Sequence, residues 1–89
     1  MSKLDDAIKR IKILECPTGE VETRIAGILE GYGVADKNHI EVKRHEGPRK
    51  NGAEEFRAKI SGDNNQSVIV FAKSGVDDYV AKVTDAYVK

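Results

Sequence analysis

Five consecutive apolar residues, Val68-Ile69-Val70-Phe71-Ala72, form the longest unbroken apolar run in this 89-residue chain. Five are too few for a buried helix and far too few to span a bilayer. Their β-branched and aromatic content predicts a strand over residues 66–73 that is covered on both faces. Whatever else the chain does, it must build a sheet around this segment. One side chain set, Val68, Val70 and Ala72, faces opposite to Ile69 and Phe71. The helices can bury only one of the two sets. The other requires the N-terminal strand and a loop, or a second subunit packed through the sheet.

The strands upstream follow from alternation. Over residues 39–45, Ile40 and Val42 alternate with Glu41 and Lys43; over 54–60, Phe56, Ala58 and Ile60 alternate with Glu55, Arg57 and Lys59. The stretch Glu46-Gly47-Pro48-Arg49-Lys50-Asn51-Gly52 is dense in turn formers and reads as a loop, and Ser61-Gly62-Asp63-Asn64-Asn65 as a turn. Short connections make the three strands an antiparallel meander.

Helical signals flank the meander. Val21, Ile25, Ile28, Leu29 and Tyr32 line one face of a helix that opens near Thr18, with Glu20 and Glu22 in its first turn and Gly31 and Gly33 as its stop. Ser74-Gly75-Val76-Asp77 resembles a capping box, and Val76, Val80, Val83 and Tyr87 follow at helical spacing, which predicts a helix running to the end of the chain. Residues 2–16 support two readings. Leu4, Ile8 and Ile11 sit at helical spacing, with Ser2 and Asp5 as a capping box, whereas Ile11-Lys12-Ile13-Leu14 alternates like a strand. A turn of helix followed by a strand over about residues 10–15 is the favoured combination. The expected fold class is α+β in a single domain: a three-stranded meander, with a fourth N-terminal strand if residues 10–15 form one. Two helices pack on one face, in (β)αβββα order.

Composition narrows the function classes. Fifteen basic and fifteen acidic residues cancel, so a case for a polyanionic partner must rest on charge placement. A single cysteine, Cys16, excludes an internal disulfide, and no Cys/His spacing matches a zinc site. The expectation is a cytoplasmic chain with no cofactor and no membrane partner. Catalytic patterns are also missing. His39 and His45 lie roughly 20 Å apart along an extended strand and read as surface residues. Cys16 has no dedicated base in sequence. Asp77 and Asp78 point about 100° apart on a helix, and Gly31-Tyr32-Gly33 lacks a third glycine. The chain reads as a non-enzyme.

Cations are the remaining feature. Lys43, Arg57 and Lys59 project from the polar side of their strands, Lys73 ends the third strand, and Arg44, Arg49 and Lys50 add charge near and within the loop. If register brings them together they form a phosphate-binding patch facing away from the helices. The alternative is a solvated face on which Glu41, Glu54 and Glu55 pair with those same cations.

Over residues 39–89 the chain resembles the ribosome hibernation-promoting factor family, also called the ribosome-associated inhibitor family. The resemblance lies in the strand Ile40-Glu41-Val42-Lys43, the loop Gly47-Pro48-Arg49-Lys50-Asn51-Gly52 and the strand Phe56-Arg57-Ala58-Lys59-Ile60. The Gly62 turn, the apolar strand and a final segment with Asp78-Tyr79, Ala81 and Asp85 complete it. The resemblance implies a small domain that binds rRNA of the small ribosomal subunit and holds ribosomes inactive, with Lys43, Arg49, Lys50, Arg57, Lys59 and Lys73 as its contacts here. The double-stranded-RNA-binding domain is similar in αβββα order, but Asp77 and Asp78 would repel phosphate where that domain docks it. The competing class is a protein–protein module, for instance a homodimer, that uses the spare apolar face and the loop 46–53.

Overall fold

The computed structural model describes the backbone of residues 3–50, 52–62, 65–75 and 79–89, and their side chains except for residues 46–50. Helix α1 spans Lys3–Lys12 and is followed by a short strand, β1, at Glu15–Pro17. A 3-10 turn at Thr18–Glu20 leads into helix α2, Val21–Gly31, and a second 3-10 turn, Lys37–His39, leads into the sheet strands. These are β2 (Ile40–Lys50), β3 (Ala53–Ile60), β4 (Gln66–Ser74) and β5 (Val80–Val88). All pairings are antiparallel, in the spatial order β1-β5-β4-β3-β2, so the apolar run sits on the middle strand of five.

The fold is α+β with both helices on one face, as the patterning requires, but the element order differs from the expected (β)αβββα. The chain runs αβαββββ. Three corrections account for the difference.

First, residues 3–12 form a full helix. Ala7, Ile8 and Ile11 are buried on one face with Leu4 packed beside them, Asp5 and Asp6 occupy the first turn and Lys9, Arg10 and Lys12 the last, so packing and dipole agree. The alternation through Ile13 carries no strand; Ile13 is 70% exposed, and pairing begins only at Glu15. Ser2, the expected cap, lies outside the described residues.

Second, the end of the chain is a strand. Val80, Val83, Thr84, Tyr87 and Val88 are β-branched or aromatic, which suits a pleated surface better than a helix. The spacing of Val80, Val83 and Tyr87 marks no single face: Val83 is buried on the helix-bearing side, whereas Val80 and Tyr87 are 41% and 43% exposed on the other. Phe71 pairs with Asp85 but Ala72 with Val83, so Thr84 is an extra residue on β5. The buried set is therefore Ala81, Val83 and Ala86. The cap expected at Ser74 through Asp77 falls partly on residues 76–78, outside the described ones.

Third, the expected loop over 46–52 is mostly strand. β2 continues to Lys50, with an irregular register between His45 and Lys50. Pro48 is compatible with this because β2 is an edge strand, where a missing N–H costs no ladder bond. Gly52, at φ +81°, closes the connection to β3. The meander consequently has four strands, with β1 added on the far edge of β5.

The main core lies between the helices and the inner sheet face. It joins Ile8 and Ile11 of α1, Val21, Ile25 and Leu29 of α2, and Phe56, Ala58, Val68, Val70, Val83 and Ala86 of the sheet. α2 ends where Gly33 takes φ +76° and the Tyr32, Gly33 and Val34 amides return to Ile28, Glu30 and Leu29 carbonyls. No described helix is long and apolar enough to cross a membrane.

Candidate functional site

The outer face of the sheet carries no helix, and its residues follow from register. On β2 they are Glu41, Lys43 and His45; on β3, Ala53, Glu55, Arg57 and Lys59; on β4, Ser67, Ile69, Phe71 and Lys73; on β5, Lys82, Asp85 and Tyr87. The centre of this face is apolar and closed. Ile69 is 3% exposed and Phe71 8%; with Ala53 they form a second buried cluster, and the Tyr87 ring tilts against Phe71 with centroids 6.3 Å apart. Neither β1 nor a second subunit is needed to bury them. The spare apolar face on which the protein-module reading relied is already covered within one chain.

Beside this cluster the β2–β3 ladder brings three cations together. Lys43 and Arg57 are direct cross-strand partners, and Lys59 stands one pair along, opposite Glu41. Glu41, Lys43, Arg44, His45, Arg57 and Lys59 line a shallow depression of about 240 Å³. Within it each of two cations holds the carboxylate two residues away on its own strand. Lys43 Nζ lies 2.7 Å from Glu41 Oε1, and Arg57 Nε donates to Glu55 Oε2 at 2.6 Å. The Lys43 ammonium, hydrogen-bonded to Glu41, holds that carboxyl below the usual range, and Glu41 in turn raises Lys43. Among the described residues, Lys43, Arg57 and Lys59 against Glu41 and Glu55 leave a positive excess of one, histidine aside.

The expected candidates divide accordingly. Lys43, Arg57 and Lys59 converge. Arg44 borders the depression, but strand parity puts its side chain on the helix-bearing face, where its guanidinium lies 3.5 Å from Glu54. Lys73 shares the outer face but stands opposite Lys82, away from the depression. The side chains of Arg49 and Lys50 lie outside the described ones; Lys50 pairs through its backbone with Ala53. Two residues were passed over. His45 sits in the depression with Nε2 3.5 Å from Arg57 Nη2, which strand parity alone would have indicated. Lys82 joins Lys73 only because the last segment is a strand, a fact hidden by the helical spacing of Val80, Val83 and Tyr87.

His39 remains apart, in the turn before β2, with Nδ1 3.4 Å from Ser61 Oγ. Cys16 is buried on β1, and burial pushes its thiol up against the opposing effect of Arg24, with Glu20 adding to the rise. A protonated, enclosed thiol is a poor nucleophile. Comparison with models of known protein families, with curated proteins and with solved structures finds no match for this chain.

Proposed function

We propose that this chain is a non-enzymatic binding domain that docks the outer face of β2 and β3 on RNA phosphates, acting by occupancy on a ribosome-associated RNA. One observation carries the reading: Lys43 faces Arg57 directly across the ladder, with Lys59 next to them. Like charges at directly opposed positions weaken strand pairing. A sheet that only needed a solvated face gains nothing by this arrangement. An anion seated between the two side chains converts the repulsion into a bidentate contact. The carboxylates of Glu41 and Glu55 serve as internal counterions until a phosphate displaces them, since exposed ion pairs are weak and readily exchanged.

The sequence resemblance to hibernation factors selects the small ribosomal subunit as the RNA to try first. In this chain the contact rests on the sheet, because the final segment supplies a strand in place of the second helix. Among the described residues no Phe, Tyr or Trp lines the depression, and His45 is its single ring, which favours backbone phosphates over a run of stacked bases.

Charge reversal tests it. The double substitution Arg57→Glu with Lys59→Glu should abolish co-sedimentation with small subunits while the far-UV circular dichroism stays that of the wild type. Unchanged co-sedimentation would remove the RNA reading.

A further inference from the structure

The two edges of the sheet are treated differently. At one edge β1 covers Val80, Ala81 and Lys82, the Leu14 carbonyl accepts the Val83 N–H at 3.0 Å, and the Asp85 carboxylate accepts the Ala86 N–H at 2.9 Å. Successive outward amides of β5 are thus occupied. At the other edge no described residue pairs with β2 on its outer side.

Parity shows which groups that edge presents. The Ser61 N–H donates to the His39 carbonyl at 2.9 Å, so in this ladder the pair 39/61 is hydrogen-bonded. With the register Glu41↔Lys59, Lys43↔Arg57 and His45↔Glu55, those residues turn their amides and carbonyls inward to β3. Ile40, Val42 and Arg44 therefore turn theirs outward. The Ile40 N–H is taken by the Lys37 carbonyl. Among the described residues nothing pairs with the Ile40 carbonyl or with either group of Val42 and Arg44.

We infer that β2 pairs with β2 of a second copy, antiparallel about a two-fold axis at Val42, extending one sheet across both chains. Charge selects both the partner and the register. Centring the axis on Glu41 would oppose two carboxylates, and centring it on Lys43 would oppose two ammonium groups. Centring it on Val42 sets Glu41 opposite Lys43 of the second copy and Lys43 opposite Glu41 of the second copy. It also matches the free backbone groups. Val42 N–H meets the Val42 carbonyl of the second copy, and Arg44 N–H meets the Ile40 carbonyl of the second copy, each twice by symmetry. Because a perpendicular two-fold keeps like faces together, the depressions of both copies fall on one side, in adjoining rows. The contact uses one strand per chain, well below the ~1,000 Å² of a stable interface, so the dimer is weak, with a Kd on the order of 100 µM.

Sedimentation velocity without RNA, from about 20 µM to about 1 mM to bracket that weak affinity, tests the edge independently of the RNA reading. The wild-type mass should rise from monomer toward dimer. Lys43→Glu, at an exposed position, should keep the monomer fold and weaken association roughly tenfold by turning two attractive cross-strand pairs repulsive. Combining it with Glu41→Lys should restore association, since the swapped strand is again self-complementary. A wild-type chain that stays monomeric throughout, a K43E chain that associates as well as the wild type, or a swap that fails to restore the dimer would each overturn the proposal.

Discussion

Replacing Phe71 by alanine probes whether the outer face closes within one chain. Phe71 projects from the middle strand on the side away from the helices, between Glu55 of β3 and Asp85 of β5 in register, and is 8% exposed. Truncating a buried phenylalanine costs about 3–5 kcal/mol. The cluster it belongs to is small, and Tyr87, whose ring packs on it, is itself 43% exposed, so the lower end, ~3 kcal/mol, applies. A domain of 89 residues has roughly 4–13 kcal/mol of total stability, so the loss is a large share of it. At about 4–8 °C per kcal/mol the midpoint should fall by roughly 12–24 °C. Thermal and urea unfolding followed by far-UV circular dichroism at low micromolar concentration measures this. A loss below about 1 kcal/mol would refute the claim that Ile69, Phe71 and Ala53 form a closed intrachain core.

Other consequences are checked more briefly. Gly52→Ala should destabilise by about 1–2 kcal/mol through backbone strain, because φ is +81° while the new Cβ would meet only Lys73 Cε at 3.6 Å. Gly27→Ala, in the interior of α2 with nothing near the added methyl, should instead stabilise by about 0.5–1 kcal/mol; denaturant titration of both gives the contrast in sign. Burial holds the Cys16 thiol protonated, so its folded pKa lies above the unfolded one. Stability should decline as pH climbs through the ordinary thiol range, and thiol reagents should react only through opening of the structure around Cys16. Glu41 is shifted the other way, by its hydrogen bond from Lys43. Its contribution is complete above the unfolded carboxylate pKa and disappears as pH falls through the lower folded value. Carbonyl-detected NMR should show that Lys43→Ala returns the Glu41 titration to the ordinary range.

Periodicity was a good guide wherever one period held for a whole element. The 66–73 run, the alternation of Phe56, Ala58 and Ile60, and the stripe Val21, Ile25 and Leu29 all lie where their patterns put them. The errors fall where a second effect interrupts the period. In the last segment Val80, Val83 and Tyr87 sit at helical spacing but on opposite faces of a strand. The small buried residues Ala81 and Ala86, which carry the true inner face across the bulge at Thr84, give too weak a signal to show it. Near the N-terminus, Ile13 continued an alternation that no partner strand uses, while the weaker apolar residue Ala7 completed the helical stripe. At Pro48 turn-forming residues were compatible with a strand because that strand has a free side. For the site, the meeting of Lys43, Arg57 and Lys59 followed from strand parity and short connections. The pairing of Arg44 with Glu54 on the other face follows from the same parity, which had been applied to its neighbours only. The spacing in sequence of Glu41 from Lys43 and of Glu55 from Arg57 did not reveal that each cation would hold its own carboxylate, because two residues along a strand become neighbours only once side chain rotamers are fixed.

The most direct measurement of the central claim is the affinity of the wild-type chain for small-subunit rRNA as a function of salt. Contact through two to three cations on the β2–β3 face predicts a slope of log K against log salt of about −1.4 to −2, or a loss of roughly tenfold between about 50 and 200 mM. An affinity that does not change over that range, or that keeps the same slope after Arg57 and Lys59 are reversed, would contradict it.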